Sequence, residues 1–503
     1  MTSQASAPCA GMADTRQSVH ARPSRPEYVD KPRRRADASR VLADLDAAFD
    51  ACGLRDGSTL SFHHHLRNGD AILNMVLDAA ARRGLRDLHV AASSIFPVHA
   101  PLVAHIRSGV VSDLSTSFIS GPVGAAITAG LLPRPVTLTT HGGRAQALAS
   151  GALRVDAAFV AAPSADPLGN LCGTQGAAAF GAMGYALCDV AHAAHVVAVT
   201  DTLAPFPLSP VDIPQERVDH VVVVPSIGDP SGIASGTTRP ATDPLRLAIG
   251  QSAAAAITAS GLLRNGFSFQ TGAGGISLAA AAQVGAEMTR RGITGSFASG
   301  GITGFHVKML RGGLFRTLLD VQCFDLAAVQ SIRDDPRHQA MSAAAYAAPH
   351  PGGAVVDRLD AVILGAAEVD LDFNVNVTTN GAGQIIGGSG GHADTASGAR
   401  LTVITTQLTG GGYPKIVPKV LHRTTPGHTV DLVVTEAGIA VNPARAELAD
   451  RLRAAGLPLV PITVLAEQAA ATATHRQANR GSGRDVAVST WRDGSVTDRI
   501  QAV

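Results

Sequence analysis

The sequence predicts an α/β protein of two similar lobes with mainly parallel sheets, followed by a short C-terminal β-hairpin. Apolar β-branched runs alternate with Ala- and Leu-rich helical stretches from residue 41 onward, the two halves repeat polar residues in the same register, and the last residues alternate around Arg492-Asp493-Gly494. The first pattern is that of βαβ units, the second that of a duplicated unit, and the third that of a hairpin with a D-G turn.

The strand candidates are Val196 to Val199, Val221 to Val224, Leu359 to Leu364, Leu401 to Ile404 and Leu432 to Val434. Their unbroken apolar character suits strands covered on both faces, the environment of a parallel sheet. Helices are predicted over Ala71 to Arg83, Leu278 to Arg291 and Ala446 to Ala455, the last stopped by Gly456 and Pro458. The repeat is carried by Arg154-Val155-Asp156-Ala157 continuing to Asp166 and Asn170, against Arg358-Leu359-Asp360-Ala361 continuing to Asp370 and Asn374 without a gap. Gly53-Leu54 with Gly57 and Phe62 echoes Gly261-Leu262 with Gly266 and Phe269, and Val218-Asp219 echoes Val430-Asp431. Shared strand composition would explain apolar matches, but not Asp and Asn falling in step. A chain of 503 residues also exceeds one core, since single cores stop growing near about 250 to 300 residues. The division expected is a disordered tail over 1–38, lobes over 39–245 and 246–466, and a polar linker with the hairpin over 467–503. Strand ends of both lobes would share a crevice, the usual ligand position in open α/β sheets.

Apolar residues make up 46% and charged residues 16%, and 41 basic against 40 acidic side chains leave a formal charge of +1. No global field then favours nucleic acid or an anionic membrane, and the run Lys31-Pro32-Arg33-Arg34-Arg35 reads as solvated surface. Five cysteines, an odd number without C-x-x-C spacing, speak against a disulfide framework or zinc ribbon and suit a reducing cytoplasm. No apolar stretch approaches the roughly 20 residues of a membrane span, and the first residues lack a signal-peptide block. A cytoplasmic protein without a metal is expected.

Polar clusters fall where strands end. Gln270-Thr271-Gly272-Ala273-Gly274-Gly275-Ile276-Ser277 follows a short apolar run and opens a helix. Such a junction aims unpaired N–H groups at one point, so it suits a phosphate, a carboxylate or a developing oxyanion; a tight turn without ligand is the alternative. Phe62-His63-His64-His65-Leu66-Arg67-Asn68-Gly69-Asp70 ends another strand. On an extended chain His63 and His65 share one face and His64 points opposite, which allows anion binding or, with a third ligand not evident, a metal. Arg67, with His141-Gly142-Gly143-Arg144, offers planar partners for a polycarboxylate. Glu368, in Glu368-Val369-Asp370-Leu371-Asp372-Phe373-Asn374, is a candidate base, nucleophile or organiser. Gly387-Gly388-Ser389-Gly390-Gly391-His392-Ala393-Asp394 has the letters of a serine-hydrolase elbow, but its extra glycines favour an anion-cradling loop that positions His392 and Asp394.

Together these blocks, with Thr200-Asp201-Thr202-Leu203, Phe297 to Gly304 and Val434 to Pro443, resemble the citrate lyase α subunit (citrate CoA-transferase) family within the CoA-transferase superfamily, over roughly residues 50 to 503. The resemblance implies a CoA-transferase-like pair of lobes with the site between them. It also implies the exchange of acetyl-[acyl-carrier protein] and citrate for citryl-[acyl-carrier protein] and acetate. The partners implied are a β (citryl-lyase) subunit and a γ (acyl carrier) subunit, in an assembly expected to hold several copies of this chain. No cofactor is expected to be attached covalently; the carrier subunit would bring a CoA-like thiol arm. On this reading Gly274 and Gly275 serve the oxyanion, Arg67 and Arg144 clamp carboxylates, and His63, His64, His65, Asn68, His141, Gly272, Ala273, Asn374, Gly390, Gly391 and His392 contact substrate. Many superfamily members carry a nucleophilic glutamate in a T-E-x-F motif, where this chain reads Thr294-Gly295-Ser296-Phe297. Direct attack by citrate is therefore favoured, with Glu368 or Glu436 left as covalent alternatives. An enzyme acting on free CoA esters, or a scaffold without catalysis, are the other readings.

Overall fold

Each predicted strand forms within a residue or two of its expected bounds, and they gather into two large sheets. The computed structural model describes residues 39–234, 241–272, 274–481 and 483–502; the tail expected over 1–38, and Ala273, lie outside them. The first sheet has ten strands, in the order Val41–Leu42, His220–Val223, His195–Thr200, Ala157–Ala162, Thr59–Phe62, Leu88–Ala92, Val111–Thr116, Val136–Leu138, Asp485–Thr490 and Val496–Gln501. The second has eight, in the order His338–Ala340, Phe315–Cys323, Gly295–Ile302, Phe269–Thr271, Ala361–Gly365, Thr402–Thr405, Leu432–Thr435 and Gly438–Val441. Neighbours pair in parallel except Asp485–Thr490 with Val496–Gln501 and Leu432–Thr435 with Gly438–Val441. From His220–Val223 to Val136–Leu138, the first sheet runs in the same chain order as the second from Leu432–Thr435 to His338–Ala340, so the fold is duplicated.

The polar residues that fall in step do the same work in both lobes. Asp166 accepts the N–H of Asn170 at 3.1 Å and its side-chain amide at 2.7 Å, while Asn170 Oδ1 accepts from Gln215 at 2.9 Å. Asp370 accepts the N–H of Asn374 at 2.9 Å and its amide at 3.1 Å, while Asn374 Oδ1 accepts from Gly427 at 2.9 Å. Asp156 and Asp360 cap the N–H groups of Thr59 and Ser268, and Asp219 and Asp431 those of Val196 and Thr402. Buried N–H groups need acceptors, and a short carboxylate supplies one at each corresponding loop.

The C-terminal segment departs from expectation in two ways. The stretch read as a polar linker begins inside a helix, Ile462–Thr472, whose Ile462, Leu465 and Ala469 are buried. The hairpin is no appendage: its first strand pairs in parallel with Val136–Leu138, Val488 opposite Thr137, and so covers an open edge of the first sheet. An uncovered edge would be a template for association with other chains. No helix among the described residues is long and apolar enough to cross a membrane.

Candidate active site

The strands of both sheets end at one cavity of about 530 Å³. From the first sheet come His64, Ser94, Phe118 and His141, each just beyond the carboxyl end of its strand. From the second come Gln270 to Gly272, Gly274, Gly301, Val321, Gln322, Phe324, Leu364 and Gly365. Arg67, Phe96, Tyr185, Tyr346, Val377 and the loop Gly388 to His392 complete the described wall. The crevice between the lobes predicted from the duplication is therefore present, and it brings the glycine loop beside part of the histidine cluster.

Gly274 is the N-cap of the helix Gly275–Arg291, and no side chain caps it. Its φ is −72°, and the nearest atom to a Cβ added there is Ser277 Oγ at 3.8 Å. Neither backbone conformation nor a neighbour then demands glycine; the space a side chain would take belongs to the cavity. Gly272 donates its N–H to Ile363 at 2.7 Å. Gly275 opens the helix and accepts from Ala241 at 2.9 Å, but is not among the residues lining the cavity.

Of the three histidines only His64 lines the cavity. Ser93 Oγ accepts from His64 N–H at 3.1 Å and lies 2.6 Å from His64 Nδ1, the only acceptor for its own proton among the described residues. With the Ser93 hydroxyl donating to Nδ1, the ring proton sits on Nε2, a donor for a ligand. Burial holds His64 well below the ordinary histidine range and drives His141 to about 3, so both rings are neutral. His63 and His65 are buried behind them, 6.1 Å apart, with His63 Nδ1 3.5 Å from Asp189 and His65 stacked on Phe180 at 5.0 Å. Neither lines the cavity, where the sequence had placed all three.

Arg67 is the cation among the described lining residues, its guanidinium 4.4 Å from the Phe324 ring centre and 5.4 Å from that of Phe96. Burial lowers it to about 10, which leaves it charged at neutral pH. Its φ of +53° is in the left-handed region, a strained conformation for a side chain of this size and of a kind concentrated at ligand clamps. Arg144 is not a clamp. Its guanidinium is spent on Asp189, at 2.8 and 2.7 Å, and on the carbonyl of Ala91 at 3.1 Å. Burial raises the Asp189 carboxyl, but Arg144 and His63 outweigh it and hold it below its ordinary value.

Four further expectations are corrected. Glu368 lies off the cavity, its carboxylate accepting from Asn376 at 2.8 Å, Leu421 at 3.0 Å and Gln477 at 3.0 Å. Glu436 accepts from Leu408 at 3.0 Å and also does not line it. Asn374 belongs to the loop knot described above, and exposed Asn68 caps the N–H of Val98 at 3.0 Å. Gly295 opens its strand and does not line the cavity, whereas Gly301 near the other end does. In all, the described lining contains no Asp, Glu or Cys.

The run Gly387 to Gly391 is neither an elbow nor an open cradle. Ile119 N–H donates to Gly387 at 3.2 Å, Gly390 N–H to Ser117 at 3.1 Å, and His141 N–H to Gly390 at 2.9 Å. A Cβ on Gly388 would fall 2.3 Å from the Ser117 carbonyl, so glycine lets the backbones of the two lobes meet. His392 donates Nε2–H to Gly365 at 2.9 Å, leaving Nδ1 to accept from Thr425 at 2.7 Å, and burial lowers it to about 4. It borders the cavity as a neutral brace. Asp394 crosses to the other lobe, accepting from Gly142 N–H at 2.9 Å, and burial raises its carboxyl to about 7.

Sequence reasoning missed Tyr185, Tyr346, Gln322 and the phenylalanines. Gln322 Nε2 donates to the His64 carbonyl at 2.7 Å and ties one lobe's strand end to the other's. Behind it, Cys323 Sγ and His338 Nε2 both donate to Asp320 at 3.0 Å. Single residues at loop ends carry no periodicity by which to find them.

The sequence profile described as "Citrate lyase, alpha subunit (CitF)" matches residues 38–503. The chain belongs to this citrate lyase alpha subunit family. Citrate lyase alpha chains from Klebsiella pneumoniae and Escherichia coli K12 are 45% and 46% identical to it, each over 92% of this chain and 91% of their own. A solved alpha subunit of citrate lyase from Streptococcus mutans, in complex with citrate, superposes with a TM-score of 0.91 at 43% identity, covering 94% of this chain and 92% of that one. A 4-hydroxybutyrate CoA-transferase from Porphyromonas gingivalis shares the fold, with a TM-score of 0.54 at 19% identity over 85% of this chain and 97% of its own. As a member of the citrate lyase alpha subunit family, the chain is one component of a multi-subunit complex.

Proposed function

We propose that the chain is a citrate CoA-transferase that moves the acyl-carrier-protein thioester from acetyl to citrate. A β subunit then cleaves the citryl thioester, and a γ subunit carries the thiol arm into the cavity. A citrate carboxylate oxygen attacks the acetyl thioester carbonyl, and the tetrahedral oxyanion is met by the N–H donors around Gly274. Collapse expels the thiolate and leaves a mixed acetyl–citryl anhydride. The thiolate attacks the citryl carbonyl, forms the new thioester and releases acetate with the bridging oxygen. The apolar wall of Phe96, Phe118, Phe324, Val321 and Leu364 suits an uncharged thiol arm and keeps water from the anhydride.

The observation that carries this reading is the character of the wall: a cation, neutral imidazoles and N–H donors, and no carboxylate among the described lining residues. Such a site holds a polycarboxylate and supplies no acidic side chain to form an acyl-enzyme. The test is acetate release from the purified chain with acetyl-carrier protein, with and without citrate, and with acetyl-CoA in place of the carrier thioester. Citrate-dependent release from the carrier thioester is expected. Release without citrate would make the protein a thioesterase, and preference for acetyl-CoA would make it a free-CoA transferase.

A further inference from the structure

Tyr185 lines the cavity, is 3% exposed, and went unnoticed in the sequence. Its ring is clamped by imidazoles, with centroids 4.6 Å from His64, 4.6 Å from His141 and 5.7 Å from His65. Ring contacts on several sides leave the phenol little freedom to turn, so its hydroxyl is held in one place. Among the described residues that hydroxyl has no hydrogen-bond partner, and it is not fully shielded from the cavity. A buried tyrosine ordinarily finds a partner for its O–H. Burial raises Tyr185 well above the ordinary tyrosine value, with the nearby Arg67 opposing. The group therefore keeps its proton throughout the physiological range and acts as a neutral donor.

We propose that Tyr185 is a catalytic residue whose O–H donates to the tetrahedral oxyanion formed when a carboxylate attacks the thioester. This deepens the functional reading above and rests on it. Two lobes then supply donors to one reacting carbon, Tyr185 from the first and the Gly274 loop from the second. The ionised carboxylates of citrate are better matched by the Arg67 guanidinium, a charged planar donor. A neutral, pre-placed hydroxyl gains most where charge is absent in the ground state and appears in the transition state. No proton need be transferred: the oxyanion collapses to the anhydride as the thiolate leaves, and the phenol keeps its hydrogen.

Y185F keeps the ring and its packing and removes only the donor. Its kcat for citrate-dependent acetate release should fall by about 10²-fold or more, with KM for citrate within about threefold and the unfolding midpoint unchanged. A kcat within about threefold of wild type overturns the assignment, as does a raised KM with unchanged kcat, which would make Tyr185 a ground-state carboxylate reader. Should Y185F fail to fold, incorporation of a ring-fluorinated tyrosine, a stronger donor, tests the same role: kcat must respond to the acidity of the phenol, and indifference to it contradicts the proposal. A wild-type protein that releases no acetate on citrate addition defeats the functional reading and this inference with it. An active wild type with an equally active Y185F defeats the inference alone.

Discussion

Replacing Gly274 by valine adds a side chain where the protein leaves room and the reaction does not. Because φ at 274 is that of an ordinary extended residue, G274V should fold with an unchanged thermal midpoint while citrate-dependent exchange falls by at least about 10²-fold, the scale of a misplaced reacting group. Arg67→Met keeps the stacking between Phe96 and Phe324 and removes the charge. It should raise KM for citrate about 10- to 100-fold, the worth of a charge-assisted hydrogen bond, with a smaller change in kcat. Arg144→Ala belongs to a different class, since it strands Asp189 in the interior. A loss of about 3 to 5 kcal/mol in denaturant unfolding is expected, rather than a selective effect on citrate. At this scale the sequence was a partial guide. It marked Arg67, His64, His141 and Gly274 by their place at strand ends. It could not separate them from Arg144 and Glu368, because an arginine buried against an aspartate and one lining a cavity look alike until the partner 45 residues away is seen.

The elements that cross between lobes set the geometry of the cavity. Asp394, on the short helix His392–Gly398, holds the first turn of the helix His141–Ser150 through Gly142 N–H, and so fixes His141. Its folded value of about 7 lies above the 3.8 of an unperturbed aspartate. The folded state therefore keeps a proton that the unfolded chain loses, and the contribution to stability is complete below about pH 4 and is lost as pH rises through about 7. Asp394→Asn, which still accepts from Gly142, should flatten that part of the pH–stability profile; unfolding midpoints of both proteins across pH 4 to 8 check it. The terminal hairpin is the other crossing element. His422 lies 2.8 Å from Ser489, and Arg492 pairs with Asp357 at 2.8 Å. Truncation after Arg484 should lower the melting temperature and produce aggregates in size-exclusion chromatography, as the strand Val136–Leu138 becomes an open edge. The hairpin was readable from its alternation and D-G turn, but its partner was not, since pairing across 351 residues leaves no local signal.

Over the whole molecule the duplication was the most legible feature, because its polar residues cap equivalent loops and are constrained in both copies. Two copies facing each other across their strand ends place a cavity between them, and that much followed from sequence. The composition of the wall did not, because residues from both lobes and several loops meet there only in the fold. The central claim is that the described residues of this wall lend no carboxylate of their own, so citrate attacks the acetyl thioester directly. The direct measurement is a single turnover with citrate labelled by ¹⁸O in its carboxylates, enzyme in excess over acetyl-carrier protein, and the released acetate analysed by mass spectrometry. Direct attack carries one citrate oxygen into acetate in that first turnover, so labelled acetate is expected. Unlabelled acetate would mean that an oxygen of the protein had entered first, and would contradict the account.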